Sequence, residues 1–544
     1  MTNISRYLRI ACMILGGIAL GSSCAVAQTP SPCYRPATGS IVPEPENLYS
    51  SNGVLSLGLN YFTETDSDGR TLYCFVTPSG SESPALHVKP GDTLMIAETN
   101  QVPPAPPGSP TLVVSTPQNQ CGDTTATITS LNFHFHGTNV SPQCHGDQVI
   151  HTVINSGETF NYKVTFPNDE PPGLYWYHTH IYGIADPTVM GGASGPIVVD
   201  GIENLEPAVA GLPERILILR DQNVAGAPTP GGAVPSWDVT LNYVPIAYPA
   251  EVPAIIQMKP DRKEFWRVAN AAADSLYDIQ LLYDGVPQPL QVVAMDGVPV
   301  GSQDGTGQGT ISTQTDIFLA TANRAEFIVS PPPPSVKSAT LVTLNVNTGP
   351  DGDNDPPRTL ATIQLSNSPV PKLPVIPQPS GPANPQRFAG LATAKPTTQR
   401  TLYFSEVLSD PTNPASPTNF FITVEPQSPM LFAPLAAPAI VTHQGTVEDW
   451  TIQNRSLENH EFHMHQIHFL VLDQNNEAPI PVDQAQYLDT IQVPFWSGTG
   501  PYPSVKVRMD FRGMDVGDFV FHCHILAHED GGMMQIIRVL PPSS

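Results

Sequence analysis

Short runs that alternate hydrophobic and polar residues dominate the sequence, and they predict β-strands. The segments from Ala85 to Ile96 and from Thr159 to Phe166 follow this pattern, with Gly, Pro, Asn and Asp at the boundaries of such runs. Three stretches end on runs that fit a closing strand, at Gly195–Asp200, Thr359–Leu365 and Met534–Leu540. We therefore predict an all-β chain of successive β-sandwiches, one ending at each of these runs.

Composition favours the same architecture. The 544 residues are too many for one hydrophobic core. Only 13% of the residues are charged and 61 are proline, which favours many turns over long amphipathic helices. The net charge of −25 argues against a nucleic-acid partner, because phosphate binding needs a basic surface. We interpret the acidic charge mainly as a source of solubility.

The first residues have the pattern of an export signal. Arg6 and Arg9 precede an apolar run from Ile10 to Leu20, and the small residues of Ala25–Ala27 offer a cleavage site. The run is too short for a permanent membrane span. We predict a signal peptide at residues 1–27 and therefore a periplasmic or secreted protein.

Proline-rich sequence also suggests where the mature chain divides. Residues 368–398 are rich in proline and poor in apolar pairs, as in an extended linker. We expect sandwich domains at 28–200, 201–367 and 399–544.

The cysteines fall into two groups once the signal peptide is removed with Cys12 and Cys24. Lipidation at Cys24 is an alternative that its poor flanking sequence disfavours. Four cysteines lie in the first third of the mature chain: Cys33, Cys74, Cys121 and Cys144. In an oxidising compartment they suggest two disulfides, and of the three possible pairings we favour Cys33–Cys74 and Cys121–Cys144. Cys523 has no partner of this kind.

Histidine is the most informative residue type. Ten of the 15 histidines lie in four short clusters: His134 and His136; His178 and His180; His460, His463 and His465; and His522, His524 and His528. Residues two apart on a strand point to the same face, so each cluster offers one His-X-His pair. Eight neutral imidazoles without carboxylates favour copper over magnesium or calcium.

The other histidines are interpreted as ordinary surface or core residues. They are His87, His145, His151, His443 and His468.

Cys523 lies between His522 and His524, which suggests a second kind of metal site. On a strand its thiolate would point away from its two neighbours and could bind a different ion. Electron-transfer copper uses two imidazoles, one thiolate and a weak axial ligand. His528 and Met533 follow on a loop that could fold back, and His460 could supply the second imidazole.

In order and spacing, the four clusters resemble those of the multicopper oxidases, the laccase-like and bilirubin-oxidase-like group of bacterial type. The likeness covers nearly all of the mature chain, including Gly173–His178 and the strand that contains Arg324. It implies three cupredoxin-like Greek-key domains, with the middle one as a spacer, and four copper ions (one type 1, one type 2 and two type 3).

The resemblance also implies ligand roles. The type 1 ligands would be His460, Cys523, His528 and Met533; the type 2 ligands His134 and His463; and the type 3 ligands His136, His178, His180, His465, His522 and His524. Glu461 stands where the family commonly has proline, and Gln466 where glycine is commonest. Asp147 and Glu529 resemble the proton-relay carboxylates of the family, although a turn residue and a loop cap are the alternatives.

The implied activity is one-electron oxidation of phenolic or aromatic-amine substrates, coupled to reduction of dioxygen to water. The partners would be dioxygen and a small reducing substrate. Cuprous-ion oxidation for copper tolerance is the alternative, but the 12 methionines form no methionine-rich run. A non-catalytic copper-binding protein is a further alternative, disfavoured because every ligand position is filled. The sequence makes no prediction of oligomeric state.

Overall fold

The computed structural model describes residues 31–224, 234–301, 309–366, 373–380, 387–413, 415–474 and 486–542. Of the structure, 46% is strand and 4% is helical, which confirms the predicted all-β class. The short helices span Ala185–Met190 and Leu526–Asp530, with 3-10 turns at Ile202–Asn204, Pro207–Val209 and Leu391–Thr393. Among the described residues, no helix has the length and apolar character that a membrane crossing requires. The predicted signal peptide and parts of the predicted linker lie outside the described residues.

The first third of the described chain contains two larger sheets that share a core. The core includes Leu86 and Ile197 from one sheet and Ile96 and Tyr162 from the other. The five-stranded sheet has the order Asn47–Tyr49, Ala85–Val88, Ser194–Val199, Gly173–His178, His134–His136. The four-stranded sheet has the order Thr159–Thr165, Thr93–Asn100, Val54–Thr65, Thr71–Val76. Small ladders pair Thr152–Val153 with Cys121–Gly122, and Thr111–Val113 with Thr125–Thr127.

The middle third also pairs two sheets, whose shared core includes Trp266, Phe327, Ile279 and Leu341. One sheet has the order Val244–Ile246, Trp237–Leu241, Glu214–Asn223, Glu264–Asn270, Arg324–Val329, Leu290–Met295, Val298–Pro299, with Ser312–Gln314 beside Leu290–Met295. The other has the order Ala254–Met258, Arg358–Leu365, Ala339–Thr343, Tyr277–Tyr283, Val286–Pro287, with Asp316–Leu319 beside Tyr277–Tyr283.

The last third repeats the arrangement around Phe404, Trp450, Phe462 and Phe521. Its six-stranded sheet has the order Thr418–Val424, Thr398–Leu408, Val447–Asn454, Ser504–Asp510, Phe469–Gln474, Tyr487–Leu488. Its five-stranded sheet has the order Ile440–His443, Met534–Leu540, Gly517–Cys523, His460–Met464, Thr490–Val493. The limits proposed for the three domains remain a prediction.

Both favoured disulfides are present. Cys33 and Cys74 are joined at 2.01 Å, and Cys121 and Cys144 at 2.04 Å. Cys523 is a buried free thiol.

Strand pairing brings the histidine clusters together two by two. In the first third, His178 pairs with His134 across antiparallel strands. In the last third, His463 pairs with His522 in the same manner. Each sheet therefore carries two neighbouring strands with histidines at adjacent positions of the ladder.

Candidate metal centres

Eight buried histidines from the first and last thirds of the chain meet in one place. We call the group the eight-histidine cluster: His134, His136, His178, His180, His463, His465, His522 and His524. None is more than 2% exposed. Rings from the two thirds stack directly, His134 on His465 at 3.8 Å between centroids and His136 on His463 at 4.1 Å.

Ring nitrogens in the cluster converge as metal ligands do. Nε2 of His522 lies 3.3 Å from Nε2 of His180 and 3.2 Å from Nε2 of His465. Two further triads have ligand atoms within 4.8 Å of one another: His134, His136 and His178; and His134, His463 and His465. Nitrogens of neutral imidazoles that converge in this way can share a bound cation.

Hydrogen bonds set which nitrogen faces the centre. Three histidines have an outer Nδ1 held by an acceptor and an inner Nε2 without a partner among the described residues: His134, His178 and His463. The acceptors are the Asp147 carboxylate at 2.9 Å, the Thr179 carbonyl at 2.8 Å and the Asp489 carbonyl at 2.8 Å. Such outer partners fix the tautomer and leave the inner lone pair for a metal.

Burial also keeps these imidazoles neutral. It lowers the pKa of His180 to about 3 and that of His463 to about 4, and it holds the pKa of the other six well below 6.5. Neutral buried nitrogens without partners are what a set of metal ligands requires, so the cluster fits copper.

A second group lies on the other face of the same strand, and we call it the Cys523 site: His460, Cys523, His528 and Met533. Cys523 ends the strand Gly517–Cys523, with its Sγ 3.6 Å from Nδ1 of His460 and 3.7 Å from Nδ1 of His528. The two Nδ1 atoms are 3.1 Å apart. Met533 is fully buried in the apolar core that contains Cys523. The sulfur and the two imidazole nitrogens thus lie within 3.7 Å of one another, and this is a donor set that electron-transfer copper uses.

The outer edges of the Cys523 site carry acidic groups near the surface. Glu406 accepts from Nε2 of His460 at 2.9 Å, and Glu458 lies 3.3 Å from Nε2 of His528. Burial, together with the charge of Glu406, raises the pKa of Glu458 to about 10. Phe420 stacks on the His528 ring at 4.3 Å.

The two carboxylates predicted to relay protons both touch the eight-histidine cluster. Asp147 contacts His134, and burial raises its pKa to about 7. Glu529 lies 3.0 Å from Nδ1 of His522 and 3.5 Å from Nδ1 of His180, and burial raises its pKa well above the usual value.

Several neighbours of the ligands were not found from the sequence. Asp489 contacts His136 at 3.0 Å, and the amide of Gln466 donates to Asp147. Gln466 has a φ of 57°, in the left-handed region that glycine adopts with the least strain. The turn therefore suits the glycine that resembling sequences commonly have at this position. The lone aspartate between the short runs Tyr487–Leu488 and Thr490–Val493 was a usable signal, since a charge among buried residues needs a partner.

The five histidines that we interpreted as ordinary surface or core residues are all hydrogen-bonded. His87 bonds Asp200, and the remaining four each bond a backbone carbonyl: His145, His151, His443 and His468.

Comparisons with known proteins match this chain to multicopper oxidases. Two multicopper oxidase family models match residues 118–204 and 406–543. A laccase of Bacillus subtilis is 22% identical over 411 residues, covering 69% of this chain and 72% of its own. The multicopper oxidase LPR1 homolog 5 of Oryza sativa is 22% identical, covering 75% and 67%.

Solved structures share the fold over nearly the full length. A multicopper oxidase from Campylobacter jejuni, described as a metallo-oxidase, aligns with a TM-score of 0.65 and 21% identity, covering 94% of this chain and 97% of its own. A laccase-like enzyme, CueO from Ochrobactrum sp., aligns with a TM-score of 0.61 and 18% identity, covering 92% and 100%.

A thiolate with two imidazoles, joined to a cluster of eight imidazoles, is a donor set that suits copper redox chemistry. In residues 118–204 and 406–543 this chain matches multicopper oxidase family models. It is therefore an oxidoreductase with dioxygen as electron acceptor, and the family implies copper as its cofactor.

Proposed function

We propose that the protein oxidises phenolic or aromatic-amine substrates one electron at a time at the Cys523 site and reduces dioxygen to water at the eight-histidine cluster. One observation carries the proposal: Cys523 contacts His460 and His528, while its chain neighbours His522 and His524 belong to the cluster. Two peptide units therefore connect the two centres covalently.

Four copper ions are proposed, one held by the Cys523 site and three by the eight-histidine cluster. Bound copper supplies one-electron redox chemistry that side chains lack. His134 and His463 are proposed as type 2 ligands, and the other six cluster histidines as type 3 ligands. Asp147 and Glu529 hold these rings from outside and are proposed to supply protons, because each is buried against a ligand ring.

Substrate access is proposed at the edge of the Cys523 site. The Phe420 ring and the Glu406 and Glu458 carboxylates lie against the two imidazoles there. An aromatic ring beside hydrogen-bond acceptors suits a phenol or an arylamine. The predicted export would place this edge in the periplasm or outside the cell.

A low-valent metal ion such as Cu(I) is the second candidate substrate. The observation that favours it is the Glu406 carboxylate, which lies against His460 at the edge of the site and can attract a cation. The structurally similar protein from Campylobacter jejuni is described as a metallo-oxidase.

The test is oxygen uptake by the copper-loaded protein with a phenol, an arylamine, bilirubin and Cu(I), compared at matched concentrations. Faster turnover of the phenol or arylamine supports the first candidate, and faster turnover of Cu(I) the second. Glu406→Gln should slow the metal-ion reaction more than the phenol reaction if the second candidate is right. A blue protein with no oxygen uptake on any donor would contradict both and favour a copper-binding role.

A further inference from the structure

A buried ion pair links the middle third of the chain to the eight-histidine cluster. Arg324 and Asp489 are both fully buried and form two contacts, Nη1 to Oδ1 at 2.9 Å and Nη2 to Oδ2 at 2.6 Å. Desolvation makes a buried ion pair a poor source of stability even when its geometry is good. The pair therefore calls for a role beyond holding the fold together.

Asp489 contacts cluster histidines from both ends of the chain. Its Oδ1 accepts from Nε2 of His136 at 3.0 Å. Its carbonyl accepts from Nδ1 of His463 at 2.8 Å, and Thr490 Oγ1 lies 3.0 Å from the same nitrogen. These bonds fix one tautomer of each ring. In His136, Nδ1 is the nitrogen that remains available to the cluster, and it has no hydrogen-bond partner among the described residues.

Arg324 is itself held by several groups around the cluster. Its Nε donates to the carbonyl of Leu174, in the strand that ends with His178. Asp296 accepts from the Arg324 backbone N–H at 2.9 Å and from the Asp489 backbone N–H at 3.2 Å.

The space around the pair is filled. A Cβ on Gly137 would lie 2.6 Å from Oδ2 of Asp489 and would also overlap Arg324. Gly137 therefore leaves room for the ion pair. This explains why a glycine follows His136 in the first histidine cluster.

We infer that Arg324 and Asp489 are positioning residues that orient His136 and His463 for metal binding, so that copper loading of the cluster depends on the middle third of the chain. The inference rests on the proposed function, because it takes the cluster as a copper site. Without the carboxylate, the His136 ring loses its acceptor, and Arg324 keeps only the longer contact of 3.7 Å with Asp296, which leaves a poorly compensated cation beside a site for cations.

The experiment measures copper uptake by the full-length apo protein. In Asp489→Leu we expect cluster affinity to fall about 10- to 100-fold, as for lost outer partners of metal ligands, while the blue band of the Cys523 site remains. Asp489→Asn should recover part of the affinity, since its amide oxygen can still accept from His136. The matched control is Asp518→Asn, which breaks a similar two-contact pair with Arg538 at the surface and should behave as the parent.

A double variant, Arg324→Met with Asp489→Leu, separates positioning from the cost of a poorly compensated buried charge. We expect its unfolding temperature to recover relative to Asp489→Leu, but not its cluster copper. Parent-like copper uptake in the double variant would overturn the inference.

Nitrogen NMR of the parent apo protein gives a second readout, in case the variants do not fold. It should show His136 protonated on Nε2, and protonation on Nδ1 would overturn the inference. A parent protein that binds no cluster copper would instead contradict the proposed function.

Discussion

The Cys523 site and the eight-histidine cluster both contain imidazole ligands, but different groups surround those ligands. The acids at the Cys523 site, Glu406 and Glu458, keep 14% and 11% of their side chains exposed. Those at the cluster, Asp147, Asp489 and Glu529, are fully buried. The site near the surface suits an electron donor that arrives from solvent, and the enclosed one suits chemistry that must exclude other reactants.

Cys523→Ser should have the largest effect, because it removes the residue that joins the two centres. We expect loss of the blue band and of nearly all substrate oxidation, since a hydroxyl is a poor ligand and a poor electron path for this copper. Copper counting should still find the cluster ions. A variant that stays blue would contradict the role given to Cys523.

His465→Ala should damage only the enclosed centre. His465 lies 3.2 Å from His522 and stacks on His134, so its loss removes a ligand from a converging set. We expect copper to be lost from the cluster while the blue band persists, measured by metal analysis and absorption. His87→Ala is the matched control, because His87 is equally buried but bonds only Asp200 and Asn47. Full copper content in His465→Ala would count against the cluster as a metal site.

Glu529→Gln and Asp147→Asn should slow the enclosed centre without emptying it. Each change keeps the side-chain shape and removes a proton donor, which we expect to reduce the rate of reoxidation by about 100-fold. The measurement is anaerobic reduction followed by rapid mixing with oxygen while the blue band returns. Glu98→Gln, a fully buried glutamate outside the metal centres, should reoxidise at the parent rate.

If both variants match the parent across acidic and neutral pH, neither carboxylate is the proton source. Asp530 would then be the next candidate, although it accepts three backbone N–H groups around the start of the helix Ala185–Met190.

The sequence was sufficient to predict the fold class and to predict which residues lie close together. The strand Thr159–Thr165 alternates exposed and buried residues without a break, so its period was visible along the chain. The histidine clusters were equally local, because each His-X-His pair needs only the geometry of one strand.

The surroundings of the ligands could not be predicted in this way. Asp489 is 353 residues from the His136 ring that it holds, and no local pattern links the two. Gln466 is 319 residues from Asp147, and its donation depends on a left-handed turn. Such contacts arise only when separate sheets pack, which local periodicity does not encode.

Met533→Leu tests the axial position of the Cys523 site. We expect a higher reduction potential for the blue copper, because the change removes a weak donor that favours Cu(II). The fold should survive, since the volumes are similar and Met533 is buried in the core. A redox titration with an unchanged or lower potential would argue against an axial role.

Glu461→Pro should give the smallest effect and would test how the protein tunes the Cys523 site. The backbone N–H of Glu461 donates to Sγ of Cys523 at 3.4 Å, and proline has no such group. Hydrogen bonds to the thiolate tune the potential of this kind of copper, and losing one should lower it because the thiolate becomes a stronger donor. Glu461→Gln keeps the N–H and removes the acid, so its potential should match the parent. Equal shifts in both variants would assign the effect to the side chain and reject the role of the backbone bond.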